Sequence, residues 1–152
     1  MFAKLTRAEY EVLLRHDLAT FAGRCFQDLN PQTCLSTNWH LEVIAAKLTA
    51  VREGKIRRLI INLPPRHLKS LMASVAFPAW CLGLDPSAQI LCVSYAQDLA
   101  DKLARDCRSV MLSPWYRTGG SFRPAWLRIG KPCRSLSPPL TDTGSPPPMA
   151  AC

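Results

Sequence analysis

The run Arg58-Leu59-Ile60-Ile61-Asn62-Leu63-Pro64-Pro65-Arg66-His67-Leu68-Lys69-Ser70-Leu71 decides how this chain is read. Its apolar half has the length and β-branched content of a buried strand, Arg58 to Leu63, and the two prolines stop it. Lys69 and Ser70 follow at the head of a predicted helix, whose first turn carries spare amide donors and a partial positive charge. A strand, a tight loop ending in Lys-Ser and a helix make the layout of a phosphate-binding loop. In that layout backbone amides cradle the phosphates, the Lys reaches the β- and γ-phosphates and the Ser binds Mg²⁺.

The match to G-x-x-x-x-G-K-[ST] is imperfect, because Leu63 and Leu68 replace both glycines. A side chain at the second of these costs about 1 kcal/mol if the position needs a positive φ. Pro64 and Pro65 supply no amide donors, so the contacts fall to the amides of Arg66, His67, Leu68, Lys69 and Ser70. On the motif alone, nucleotide binding and a plain Pro-containing turn with an exposed Lys-Ser stand level.

Outward from the loop, Thr6 and Glu9 form a capping-box pattern before a helix from about Arg7 to Phe21, and residues 25–37 read as irregular. Asn38 caps a second predicted helix to about Arg52, with Val43, Ala46, Leu48 and Val51 among its apolar positions, and Gly54 ends it. After the loop come a predicted helix around Leu71 to Leu82 and a second short apolar run, Ile90 to Val93, which reads as a buried parallel strand. Ser94 with Gln97 forms another capping-box pattern before a helix carrying Leu99, Leu103, Cys107, Val110 and Met111. Helix, strand, loop, helix, strand, helix is the opening of an α/β, doubly wound, mainly parallel sheet.

Other landmarks occur in order around the loop: Asn38-Trp39-His40, Pro78-Ala79-Trp80, Ser94-Tyr95 and Ser113-Pro114-Trp115-Tyr116. Together they resemble the N-terminal ATPase domain of the large terminase subunit of tailed bacteriophages and prophages, over roughly Gln32 to Tyr116. In that family a Trp-His helix precedes an Ile-rich strand ending in Pro-Pro-Arg-His-x-Lys-Ser. The resemblance implies a P-loop fold, ATP and Mg²⁺ as cofactors, and a nucleotide held by Arg66, His67, Leu68, Lys69 and Ser70. Ser70 would meet the Mg²⁺, and Arg66 would serve as a cis arginine finger on the γ-phosphate. It further implies double-stranded DNA, a small terminase subunit and a portal as partners, in the cytoplasm of a bacterial host.

Length and composition bound this reading. The 152 residues suffice for one domain and are too few for a motor plus a nuclease. Hydrophobic residues make up 48% and charged residues 20%, which is globular, and the net charge of +8 suits a polyanionic partner without identifying one. Lys4, Arg7 and Glu9 stand where a signal peptide would carry its apolar core, and Ser70 to Leu84 is too short for a membrane span. The seven cysteines lack zinc-ligand spacing, so no thiol metal site is expected, and Cys81, Cys92 and Cys107 read as buried small hydrophobes.

The character changes at Arg117. The segment 117–152 holds seven of the thirteen prolines, five basic residues and one acid, Asp142, so half the net charge lies there. It reads as a disordered tail after a domain at 1–116, with the composition of an out-of-frame continuation of a terminase gene. Hydrolysis requires a further strand ending in acids that arrange Mg²⁺ and activate water, and in the terminase family this Walker B strand follows the region of Tyr116. No such run is present, and Asp142, between Thr141 and Thr143, has no strand to position it.

The expected protein is therefore a terminase fragment that keeps the ATP-binding loop and lacks the hydrolytic and nuclease parts. A complete small kinase-like enzyme would need well-placed acids that the chain does not offer. A non-enzymatic DNA-binding or interaction protein with a vestigial loop is the alternative. Gln32 reads as a loop residue, Trp39, Trp80 and Trp115 as packing aromatics, and Asp98, Asp101, Arg105 and Asp106 as a solvated helix face with an Asp101–Arg105 pair.

Overall fold

The computed structural model describes residues 6–36 and 38–118. Helix α1 (Arg7–His16) opens with the expected capping box: Thr6 Oγ1 accepts from the Glu9 amide, and the Glu9 carboxylate accepts from the Thr6 amide at 2.7 Å. The predicted continuous helix to Phe21 is interrupted at Asp17. Its carboxylate accepts from the amides of Ala19 and Thr20 and starts a new helix, α2 (Leu18–Leu29). Residues 25–29, expected to be irregular, are therefore helical. Asn38 caps α3 (Trp39–Arg52) through its side chain, and Gly54 ends it at a φ of +74°, both as the sequence implied. The buried face of α3 is Leu41, Ile44, Ala45 and Leu48, whereas Val43 and Ala46 are exposed.

The chain then forms a rod from Lys69 to Leu84: α4 (Lys69–Leu71), a π-helical turn (Met72–Ala76) and α5 (Phe77–Leu84). Pro78 has no N–H for the carbonyl one turn earlier, and the widened turn lies directly before it. The rod is apolar on nearly all sides, with Met72, Val75, Ala76, Pro78, Ala79, Trp80, Cys81 and Gly83 buried, and α2 and α3 pack around it. Helix α6 (Gln97–Leu112) covers the remaining side and leads through Ser113 into α7 (Pro114–Thr118).

Two side chains tie this bundle together through long-range hydrogen bonds. Trp80 Nε1 donates to the carbonyls of Leu14 and Arg15, both at 3.1 Å, and Tyr116 Oη donates to the Ala79 carbonyl at 2.7 Å. Phe21, Trp115 and Tyr116 meet edge to face with centroids 5.6–6.3 Å apart. Trp80 thus packs in the core as expected, while Trp39 is 72% exposed.

Among the described residues the predicted doubly wound α/β sheet is absent, and they are helical or irregular. Arg58–Leu63 and Ile90–Val93 are straight runs, but no backbone group in either bonds to the backbone of another segment among the described residues. A strand exists only through its ladder. A buried parallel strand also needs cover on both faces, and Arg58–Leu63 has it on one: Leu59, Ile61 and Leu63 rest against the helical core, while Ile60 is 92% exposed. The second predicted strand is more open still, with Leu91 88% and Val93 84% exposed. Ser94 does not cap α6; its N-cap is Ala96, with no side-chain bond. Asp101 accepts from Gln97 instead of pairing with Arg105. The helix α7 continues two residues past the expected boundary at Tyr116, and the rest of the predicted tail, with Asp142, lies outside the described residues.

Of the cysteines expected to be buried, Cys81 is buried, Cys107 is half-buried and Cys92 is exposed. Burial pushes the thiols of Cys81 and Cys107 up to about 11 from an ordinary value near 9. The folded state therefore holds protons that the unfolded chain has released. This stabilisation is fully present below pH 9 and is lost as pH rises through 11. Thermal melts should show a falling midpoint across that window, and the fall should shrink in a Cys81→Ala, Cys107→Ala double variant.

Candidate functional site

The loop between the straight run at Leu63 and the apolar rod holds two residues in left-handed backbone conformation, Arg66 at a φ of +66° and Leu68 at +57°. Neither is glycine, and each such position costs a side-chain residue about 1 kcal/mol or more. The condition set by the missing second glycine is therefore met at Leu68. The conformation turns the chain sharply enough for the rod to begin at Lys69, with the Leu68 carbonyl accepting its first helical bond from Met72 at 2.9 Å.

A helix start leaves its first amides without internal partners. Here Leu68 offers no side-chain cap, and the amides of Arg66, His67, Leu68, Lys69, Ser70 and Leu71 donate to no other described group. These consecutive donors sit at the positive end of the rod. Lys69 spans the loop's mouth, its Nζ donating to the Leu63 carbonyl at 2.8 Å. That bond fixes the ammonium six residues back along the chain, against the end of the straight run. The ring of His67 is held by a 2.9 Å bond between Nδ1 and the Pro65 carbonyl and lies edge to face with His40 at 5.5 Å. His67 is exposed, and its ring contact sets the Trp39-His40 end of α3 beside the loop.

The five residues Arg66, His67, Leu68, Lys69 and Ser70 share one open cleft of about 830 Å³. Its opposite side is formed by Tyr95, Leu99, Lys102, Leu103 and Asp106, and its floor by Phe26, Leu29 and Val75. Lys102 and Tyr95 escaped sequence reasoning, since a Lys in a charged helix and a Tyr at a presumed strand end carry no signal of where the fold directs them. Asp106 was assigned to a solvated face and instead is half-buried beside the cleft. Arg66, Lys69 and Lys102 give the cleft three fixed cations against the single carboxylate of Asp106. Gln32 lies in the exposed turn after α2, outside the lining.

The acids elsewhere have local duties. Asp85 caps the turn at Ser87, whose amide and hydroxyl hold its carboxyl below the usual range. Among the described residues, no three His, Cys, Asp or Glu groups gather as metal ligands.

Comparisons with family models, with curated proteins and with solved structures find no match to this chain. The site accordingly rests on its own geometry.

Arg66 is exposed, so its strained backbone brings no burial in return. Arg66→Gly should raise stability by up to about 1 kcal/mol, measured by urea denaturation. Leu68→Gly should gain less, because it also strips a half-buried side chain from the core.

Proposed function

We propose that Arg66–Ser70 is a phosphate-binding loop for ATP with Mg²⁺, in a chain derived from the ATPase part of a terminase large subunit. The observation that carries this reading is the row of undonated amides from Arg66 to Leu71, set at the head of a buried rod and bridged by Lys69. Such a row is costly unless an anion or water accepts from it. The donor set fits a polyphosphate: consecutive amides, the Lys69 ammonium, and the Arg66 and Lys102 cations across the cleft. It fits Mg²⁺ through the exposed Ser70 hydroxyl, a group that would share the ion with phosphate oxygens.

Each residue has a distinct role in this reading. The Lys69 ammonium, held on the Leu63 carbonyl, would exchange that acceptor for the β- and γ-phosphate oxygens. Arg66 presents a planar, permanently charged fork to the terminal phosphate. Orienting a water for attack is a separate task, and the half-buried Asp106 is the carboxylate lining the far wall. One acid without a companion supports nucleotide holding better than turnover. DNA, a small terminase subunit and a portal as partners, and the bacterial cytoplasm as location, follow from the resemblance alone. Among the described residues no helix is long and apolar enough to cross a membrane.

Calorimetric titration with ATP and Mg²⁺ should show saturable binding that weakens about tenfold to a hundredfold in Lys69→Ala, the scale of a lost charge-assisted bond. Lys55→Ala, which removes an exposed ammonium paired with Glu53, should leave affinity unchanged. Phosphate release by the chain should stay near background. Equal ATP binding by wild type and Lys69→Ala would overturn the assignment, and rapid turnover abolished by Lys69→Ala would mean that an acid, Asp106 first, completes the site.

A further inference from the structure

Tyr95 is the one residue of the cleft to which the phosphate loop gives no task. It is 95% exposed and takes no hydrogen bond or ring contact among the described residues. A lone exposed tyrosine is an ordinary surface feature. This one lines the wall opposite Arg66–Ser70, in the same opening of about 830 Å³.

That wall is one face of α6. Leu99, Lys102, Leu103 and Asp106 recur at helical spacing, which aligns them along about 10 Å of the helix axis. Tyr95 precedes Leu99 by four residues and stands just ahead of the helix, whose first residue is Gln97. The cleft therefore combines two chemistries. Arg66, Lys69, Lys102 and the spare loop amides suit phosphate, whereas Phe26, Leu29, Leu99 and Leu103 give a polyanion no partner. A nucleotide answers both, because its phosphates carry charge and its base presents a flat apolar face. The opening also has the volume of a site for a whole small molecule, roughly 300–1,000 Å³.

We propose that Tyr95 is the base platform of this cleft: a nucleotide held by its phosphates at Arg66–Ser70 lays its base on the Tyr95 ring. The inference rests on the phosphate-loop reading and extends it from the phosphates to the base, so the ligand is a nucleotide and not a bare polyphosphate. Stacking uses the π-face of the ring, which leaves the Tyr95 hydroxyl without a part in it. An exposed aromatic also gives up little on binding, since no contact within the fold has to be broken first.

Calorimetric titration of the full chain with ATP and Mg²⁺, and in parallel with tripolyphosphate and Mg²⁺, tests it, because the second ligand carries phosphates without a base. Tyr95→Ala should weaken ATP binding about tenfold and leave tripolyphosphate binding unchanged. Tyr95→Phe should keep wild-type affinity for both, and Lys69→Ala should weaken both. Because Tyr95 is exposed, its variants should melt as wild type does, so a loss reports on the ligand and not on folding. ATP binding unchanged in Tyr95→Ala but weakened in Lys69→Ala would overturn the inference and leave the phosphate loop standing. Equal losses of both ligands in Tyr95→Ala would overturn it too. A thymidine oligonucleotide that loses affinity in Tyr95→Ala while ATP does not would overturn it in favour of a polynucleotide strand. Saturable binding of neither ligand by wild type would overturn the phosphate loop and the platform together.

Discussion

The burial of most of the apolar rod Met72–Leu84 is the constraint from which the rest of this structure follows. A helix without a polar face is stable in water only when enclosed. Enclosure comes from α2 and α3 on one side and α6 on the other, and Trp80 and Tyr116 bond to the backbone of elements distant in sequence. Because those bonds join the end of α1 to α5, and α5 to α7, the rod is tied to elements before and after it in the described chain. The N-terminus of the rod is consequently fixed as well, and that is where the loop stands.

A rigid rod explains why a strained loop persists. Arg66 and Leu68 keep positive φ values that glycine would hold more cheaply. The half-buried Leu68 offsets part of its strain by packing on the core, but Arg66 has no such compensation. Strain on an exposed cation, next to a row of unused amides, is the arrangement expected where the chain is shaped for an anion rather than for stability.

Local chemistry was legible in the sequence and long-range pairing was not. Thr6 with Glu9, Asn38 and Gly54 act where their residue types indicate, because caps are decided within one turn. The same locality misled at two places: Asp17 cut a periodic stretch into two helices, and Ser94 failed to cap because the helix begins two residues later than such a cap requires, at Gln97. The sheet was misread for a different reason. Leu59–Ile61 and Ile90–Val93 carry the propensity of strands, yet a strand requires a neighbour that propensity cannot supply. Of the site, Arg66 to Ser70 could be read directly because they are contiguous. Lys102, Tyr95 and Asp106 reach the same cleft only through the packing of α6, and no local pattern announces that.

The two unpaired runs and the loop describe one economy of structure: helices satisfy their own backbone, and the leftover donors collect in the segments between them. At the loop those donors converge on a cationic cleft. The central claim concerns that cleft. Amide nitrogen–proton spectra recorded during titration with ATP and Mg²⁺ test it most directly, because they report on the backbone donors themselves. Saturable shifts concentrated at Arg66, His67, Leu68, Lys69 and Ser70 are the expected result. Shifts absent from these amides, or spread evenly over the basic surface without saturation, would contradict it.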